Sequence, residues 1–380
     1  MALQVRPRRS VAKLPQYHPP LEGRAGMLRL DFNENTVGCA PAVVRVLRRA
    51  LDAGGLARYP EYEGAREILA SYFGVSANEL LMTNGIDDAI KLICDTFVDP
   101  GDELVIPAPT FSMYQFFQAV AAGKTRLVPY DDQVRLAATS IIKAVTRRTR
   151  WMALANPNNP TGTLISKADL RAILRAAPKV VVLVDEAYFD FSGETVLPWI
   201  HEFSNLIVAR TFSKGFGLAG VRLGVLIANV ELAGLMRRAH AVFPVNSLAL
   251  VGALEAIRQE DYVRRYAATI CANRELLCAR LEKMGVSYLP SAANFVFVRV
   301  GDRAPEIARR LREQDILVRD WSHDPHLRRY LRLTVGTTAQ TRRLARQFEL
   351  LRPLMDTMDT GDGAGAWQDL VSYSPKERFA

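Results

Sequence analysis

Cysteine is scarce in this chain. Its four residues, Cys39, Cys94, Cys271 and Cys278, form no CxxC pair and have no histidine at metal-ligand spacing. A disulfide framework is thereby excluded and no metal signature is present, so isolated buried thiols in a reducing, cytoplasmic compartment are expected. Long apolar runs are also missing. A membrane span needs about 20 apolar residues, whereas the longest run here, Val180–Val184, has the length of a buried strand. Arg6, Arg8 and Arg9 are not followed by an apolar stretch before Pro15, so no secretory leader is expected. Acidic residues are in deficit, 40 against 49 basic, for a net charge of +9. Yet no block of five like charges and no nucleic-acid motif accompanies that excess, so a nucleic-acid partner is not expected. A dispersed positive charge suits an anionic small molecule equally well. Lysine is rare too, with nine residues in the chain.

What is present describes a folded protein. A length of 380 residues exceeds the usual span of one hydrophobic core, which predicts two domains. From Pro41 to Ala228, helical periods alternate with short apolar runs. Helices are predicted over Pro41–Ala53, Gly64–Phe73, Asp87–Phe97, Thr110–Ala122 and Ser166–Arg175. Strands are predicted over Glu103–Ile106, Arg126–Pro129, Trp151–Ala155, Lys179–Val184 and Leu206–Arg210. Lys179–Val184 lacks polar alternation, as a parallel strand covered on both faces would. The pattern is α/β. After helices at Glu231–His240, Leu248–Arg258 and Tyr262–Met284, the order strand, helix, strand, strand, helix to Leu351 predicts a smaller α+β unit. From Met358 onward periodicity is lost, and a mobile tail is expected.

Four segments carry chemistry, each with an ordinary reading beside it. Lys214, in Arg210-Thr211-Phe212-Ser213-Lys214-Gly215, directly follows a predicted strand. Open α/β sheets bind ligands at that end, so Lys214 is placed to meet an aldehyde while Thr211 and Ser213 bond a phosphate; a surface lysine reads the same way. The overlapping Gly215-x-Gly217-x-x-Gly220 fits a dinucleotide fingerprint, but Arg222–Ala228 reads as a strand where that fingerprint needs a helix. The nicotinamide reading is rejected. Asp185, ending the apolar strand in Val184-Asp185-Glu186-Ala187-Tyr188, is either an ion-pair partner or a carboxylate for a pyridine nitrogen. Asn156-Pro157-Asn158-Asn159-Pro160-Thr161-Gly162 is a rigid turn in which Asn159 can donate to a phenolate oxygen. Asn84-Gly85-Ile86-Asp87 opens a helix, as an ordinary cap or as a phosphate site.

Taken together, NPNNPTG, VDEAY and TFSKGFGLAGVRLG resemble the fold-type I pyridoxal-phosphate aminotransferases, and the likeness covers roughly residues 14–350. The resemblance implies a large domain with a mostly parallel seven-stranded sheet over 41–255 and a small domain over 256–355. It places an N-terminal arm and part of the small domain in 1–40, and a tail in 356–380. It makes Lys214 the cofactor-bearing lysine and proton shuttle, and Asp185 the ring-nitrogen partner. Tyr188 and Asn159 then serve the ring oxygen, and Phe111 stacks on the ring. Thr211, Ser213, Arg222 and the Gly85-Ile86-Asp87 turn hold the phosphate. Tyr59, in Arg58-Tyr59-Pro60, matches a tyrosine that reaches the neighbouring subunit's cofactor, which implies a homodimer with shared sites.

Within that fold the chain resembles histidinol-phosphate aminotransferases, through Leu30-Asp31-Phe32-Asn33-Glu34-Asn35, Ser291-Ala292-Ala293-Asn294-Phe295-Val296 and Ile316-Leu317-Val318-Arg319-Asp320. That likeness implies Arg332, Arg319, Asn33 and Tyr17 at the substrate, with an amino donor and 2-oxoglutarate exchanging the amino group by ping-pong transamination. It is incomplete. Asn35-Thr36 stands where the family has Asn-Pro, Gly85-Ile86-Asp87-Asp88 replaces Gly-Ser-Asp-Glu, and Val242-Phe243-Pro244 replaces Pro-Tyr-Asn. An aromatic or specialised-metabolite amine, or a lyase or oxidase reaction on the same cofactor, is the alternative reading.

Overall fold

The computed structural model describes residues 5–16, 22–52, 55–131, 133–356, 367 and 370. Its strands, in chain order, are β1 (Leu28–Leu30), β2 (Leu80–Thr83), β3 (Glu103–Ala108), β4 (Lys124–Pro129), β5 (Thr149–Ala155) and β6 (Val181–Asp185). They continue with β7 (Leu206–Thr211), β8 (Gly224–Ala228), β9 (Ser287–Leu289), β10 (Phe295–Arg299), β11 (Ile316–Asp320) and β12 (Tyr330–Thr334). Seven of them form one sheet in the order β2-β8-β7-β6-β5-β3-β4. The pairs β3–β4, β3–β5, β5–β6 and β6–β7 are parallel, and β8 runs antiparallel to both of its neighbours.

The apolar runs have a direct explanation. Successive side chains of a strand point to opposite faces. Along β6, Val182 and Val184 enter one core while Val181 and Leu183 enter another. Along β7, Leu206 and Val208 divide from Ile207 and Ala209 in the same way. A sheet covered on both faces has no polar side to alternate with. Helix starts follow local chemistry: Ser166, Asn229 and Asn246 each accept a backbone N–H of the first turn, and Thr337 with Gln340 forms a capping box.

The second sheet has the order β1-β11-β12-β10-β9. Its core joins Leu30, Phe295, Val298, Leu331 and Leu333 to Ile270, Leu277 and Phe348 from the covering helices Glu260–Lys283 and Thr338–Leu351. β1, pairing in parallel with β11, brings residues next to Asp31–Asn35 to this sheet. Strands β1, β2 and β9 and the helices Arg9–Ala12, Ala138–Ala144 and Phe189–Ser192 go beyond the sequence expectations. β1 and β2 are three and four residues long, too short for a periodic signal. At the C-terminus, Trp367 and Leu370 are buried in the core rather than trailing free. Two apolar side chains separated by polar residues leave no periodic trace.

Candidate active site

Because β2, β3, β5, β6 and β7 share one direction, their carboxyl ends share one edge, and reversed β8 begins there. Beside that edge lies a cavity of about 760 Å³. Ile86, Asp87, Phe111, Asn159, Asp185 and Tyr188 line it, as do Thr211, Ser213, Lys214 and Arg222. From β11, β12 and the segment after β1 come Arg319, Arg332 and Asn33. Predicted Gly85 is not in the lining but lies directly against Arg222. Tyr59 is exposed and stacks on Phe243 with ring centroids 4.3 Å apart; Tyr17 lies outside the described residues.

Asp185 ends β6 and is buried. Its Oδ2 accepts the Tyr114 hydroxyl at 2.7 Å and its Oδ1 the Ala187 N–H at 3.0 Å. Burial pushes its carboxyl up to about 6, with those two hydrogen bonds pulling the other way. A buried carboxylate met by neutral donors and facing a cavity is the arrangement a cationic ring nitrogen would complete. Tyr188, also buried, accepts from Asn33 Nδ2 at 2.8 Å, and Asn33 itself sits in the left-handed region at φ 55°.

Lys214 Nζ donates to the Phe32 carbonyl at 2.9 Å. Desolvation, reinforced by the charges of Arg332 and Arg222, lowers its pKa to about 8. An amine held this way carries a neutral, nucleophilic fraction near physiological pH. The glycines after it do not open a helix: a short turn, Ala219–Val221, leads into β8. At Gly217 (φ 70°) a Cβ would stand 2.6 Å from the Gly38 backbone, so this glycine serves close approach of chain to chain.

A polar corner forms where the helix Gly85–Phe97 meets Thr211, Ser213 and Arg222. The helix begins two residues before the predicted Asp87, on Gly85 at φ 78°. A Cβ on Gly85 would lie 2.5 Å from Arg222 Nη2. Arg222 adopts φ 63°, a conformation costly for a non-glycine residue, and pairs with Asp87 at 3.5 Å. Two hydroxyls, a guanidinium and helix N-terminal amides make a phosphate cradle. With the Asp185 carboxyl and the Lys214 amine, this donor set fits pyridoxal phosphate.

Arg319 and Arg332 face each other across β11 and β12. Arg332 is buried and donates to Asn159 Oδ1 and to the Asp31 carbonyl, the latter at 2.7 Å. The Trp321 ring lies 5.4 Å from the Arg332 guanidinium carbon and 5.8 Å from that of Arg319. Sequence reasoning missed Tyr114, Trp321 and Arg24. Arg24 pairs with Asp31 and Glu34 at 2.8 Å each and covers the Phe32 ring, fixing the segment whose carbonyl receives Lys214. No motif marks them, since each acts through a contact between residues distant in sequence or one helical turn beyond a motif.

Residues 25–348 match the family described as aminotransferase class I and II. The histidinol-phosphate aminotransferase of Moorella thermoacetica is 34% identical over 352 residues, covering 88% of this chain and 89% of that protein. Histidinol-phosphate aminotransferase 2 of Carboxydothermus hydrogenoformans is 33% identical over 372 residues, covering 92% and 99%. Among solved structures, histidinol-phosphate aminotransferase from Sinorhizobium meliloti in complex with pyridoxal-5'-phosphate matches with a TM-score of 0.84 at 29% identity. That match covers 93% of this chain and 99% of the other.

Proposed function

This chain belongs to the aminotransferase class I and II family, and from that membership we propose that it moves an amino group from histidinol phosphate to 2-oxoglutarate. It is a pyridoxal-5'-phosphate-dependent aminotransferase acting on an amino donor and a 2-oxo acid. The bound cofactor supplies an electron sink for the carbanion at the donor's amine-bearing carbon. Lys214 carries the cofactor and its Nζ moves the proton off that carbon; a pKa near 8 suits both tasks. Asp185 pairs with the ring nitrogen, held in place by Tyr114. Tyr188 and Asn159 bond the ring oxygen and Phe111 stacks on the ring. Thr211, Ser213, Arg222 and the first turn of the helix from Gly85 hold the phosphate.

One observation carries the donor assignment. Arg319 and Arg332 are cross-strand neighbours in the same cavity as Lys214. Two guanidiniums suit a doubly charged phosphate on the donor, and two carboxylates on the acceptor in the second half-reaction. Asn33, hydrogen-bonded to Tyr188, lines the same space. The protein acts as a homodimer: exposed Tyr59, stacked on exposed Phe243 beside Val242, forms an apolar face from which Tyr59 reaches the partner's cofactor phosphate. Among the described residues no helix is long and apolar enough to cross a membrane, and the four cysteines are free thiols, which fits the cytoplasm. The test is a panel of amino donors mixed with holoenzyme, followed by the cofactor's visible spectrum. Histidinol phosphate converts the spectrum at micromolar to low millimolar concentration while histidinol, lacking the phosphate, does so at least about tenfold less efficiently. Equal efficiency for the two refutes the donor assignment.

A further inference from the structure

Trp367 lies beyond residues 25–348, the span matched to the family, yet it is buried with Leu370 in the cluster that holds Phe297, Leu327 and Tyr330. Its ring stacks on Tyr330 at 5.9 Å with 22° between planes. Tyr330 stacks on Phe297 at 5.0 Å and 9°, and Phe297 meets Trp321 edge-on at 5.5 Å. Trp321 in turn stands against the guanidiniums of Arg319 and Arg332. Four aromatic rings thus run in unbroken contact from the C-terminal segment to the two charges at the cavity. The segment between β11 and β12, residues 321–329, hangs on the same stack: Trp321 and Leu327 line the cavity, and Leu327 is buried in the cluster with Trp367.

We propose that Trp367 is a positioning residue for substrate: by closing the outer end of the ring stack it holds segment 321–329 in place and so sets the affinity of the Arg319–Arg332 pair for a substrate anion. The physical basis is that aromatic packing gains both from buried area and from ring geometry, and that removing a buried contact lowers the free energy of local opening of the segment it holds. Loss of that ring removes one stacking partner of Tyr330 and admits water behind Leu327. A displaced Trp321 then no longer shields the guanidiniums, and an anion bound in higher dielectric is held less tightly. The proposal rests on the reading of Arg319 and Arg332 as anion-binding residues.

The test compares wild-type holoenzyme with Trp367→Ala, Trp367→Phe and Leu370→Ala. Hydrogen exchange is read on peptides covering 321–329, and inorganic phosphate is used as inhibitor. In Trp367→Ala, exchange in 321–329 rises by about tenfold or more while β6 and β7 keep wild-type protection. The phosphate inhibition constant and the donor KM rise by about tenfold, with kcat within about threefold and the cofactor spectrum unchanged. Trp367→Phe, which keeps a ring on Tyr330, restores most of both. Leu370→Ala gives the same pattern more weakly and carries the test if Trp367→Ala does not fold. Unchanged exchange in 321–329, loosening throughout both sheets, or unchanged phosphate inhibition each overturns the proposal. The donor reading fails separately, if wild-type enzyme does not turn over histidinol phosphate or Arg319→Ala leaves its KM unaltered; exchange, measured without substrate, judges Trp367 in either case.

Discussion

Gly85→Ala probes the cofactor corner through one methyl group. Two effects follow from the geometry. Gly85 has φ 78°, where an alanine is strained by about 1–2 kcal/mol. The new Cβ would also stand 2.5 Å from Arg222 Nη2 and 3.0 Å from its Cζ, against a comfortable contact of about 3.5 Å. The guanidinium is the mobile end of a long side chain, so it retreats by about 1 Å rather than unfolding the turn. A retreat of that size breaks a charge-assisted hydrogen bond worth about 1.5–3 kcal/mol, or roughly 10- to 150-fold in cofactor affinity. The apoenzyme is titrated with pyridoxal phosphate to obtain Kd, and its stability is read separately from urea unfolding. The expected result is a loss of affinity larger than the loss of apoenzyme stability. In an Arg222→Ala background the affinity effect shrinks to the backbone strain alone, because nothing remains to be displaced. Fully additive effects, or a Gly85→Ala affinity within twofold of wild type, refute the assignment of Arg222 to the phosphate.

Lys214 sets a pH dependence with a definite sign. Its amine must be neutral to take up the cofactor, so the rate of holoenzyme formation climbs with pH and levels off above about 8, not near the 10.4 or so of an ordinary lysine. Replacing Arg332 by Gln removes one charge that lowers this pKa and shifts the levelling point upward; stopped-flow absorbance across pH 6–10 checks both, and a rate still rising at pH 10 contradicts them. Tyr114→Phe removes the hydroxyl that stabilises charged Asp185, so the pH profile governed by that carboxyl moves upward by about one unit and kcat falls about tenfold with little change in acceptor KM. An unmoved pH–rate profile for that variant rules the hydroxyl out as a support for Asp185.

The legible parts of this molecule are those whose signal is local. The buried run Lys179–Val184 announced β6, and its terminal acid Asp185 did reach the cavity, because strand direction alone decides where a strand-end residue points. Lys214, Asn159 and Arg222 arrived at the same edge for that reason. β1 and β2 were illegible because a strand of three or four residues is stabilised by its neighbours, not by its own pattern. Tyr114, three residues after Phe111 and second in the helix Met113–Val120, carries no mark of the carboxylate it will meet from β6, 71 residues on. Arg24 and Trp367 are read from tertiary contacts alone. Trp321, in the loop between β11 and β12, was illegible although Arg319 and Arg332 on those strands were not, since a loop residue carries no periodic signal.

The reversal of β8 has a further consequence. The chain leaves β7 at Thr211 and re-enters the sheet at Gly224, on the same edge, after twelve residues (223 − 211). Lys214 and Arg222, the arginine proposed for the phosphate, therefore travel as one cassette, with both ends clamped by neighbouring strands. The two guanidiniums proposed to meet the substrate, Arg319 and Arg332, lie more than 90 residues downstream, on β11 and β12. Selection, or an engineer, can redraw the amine this scaffold accepts by rewriting residues 319–332 while the machinery that handles the proton is inherited intact.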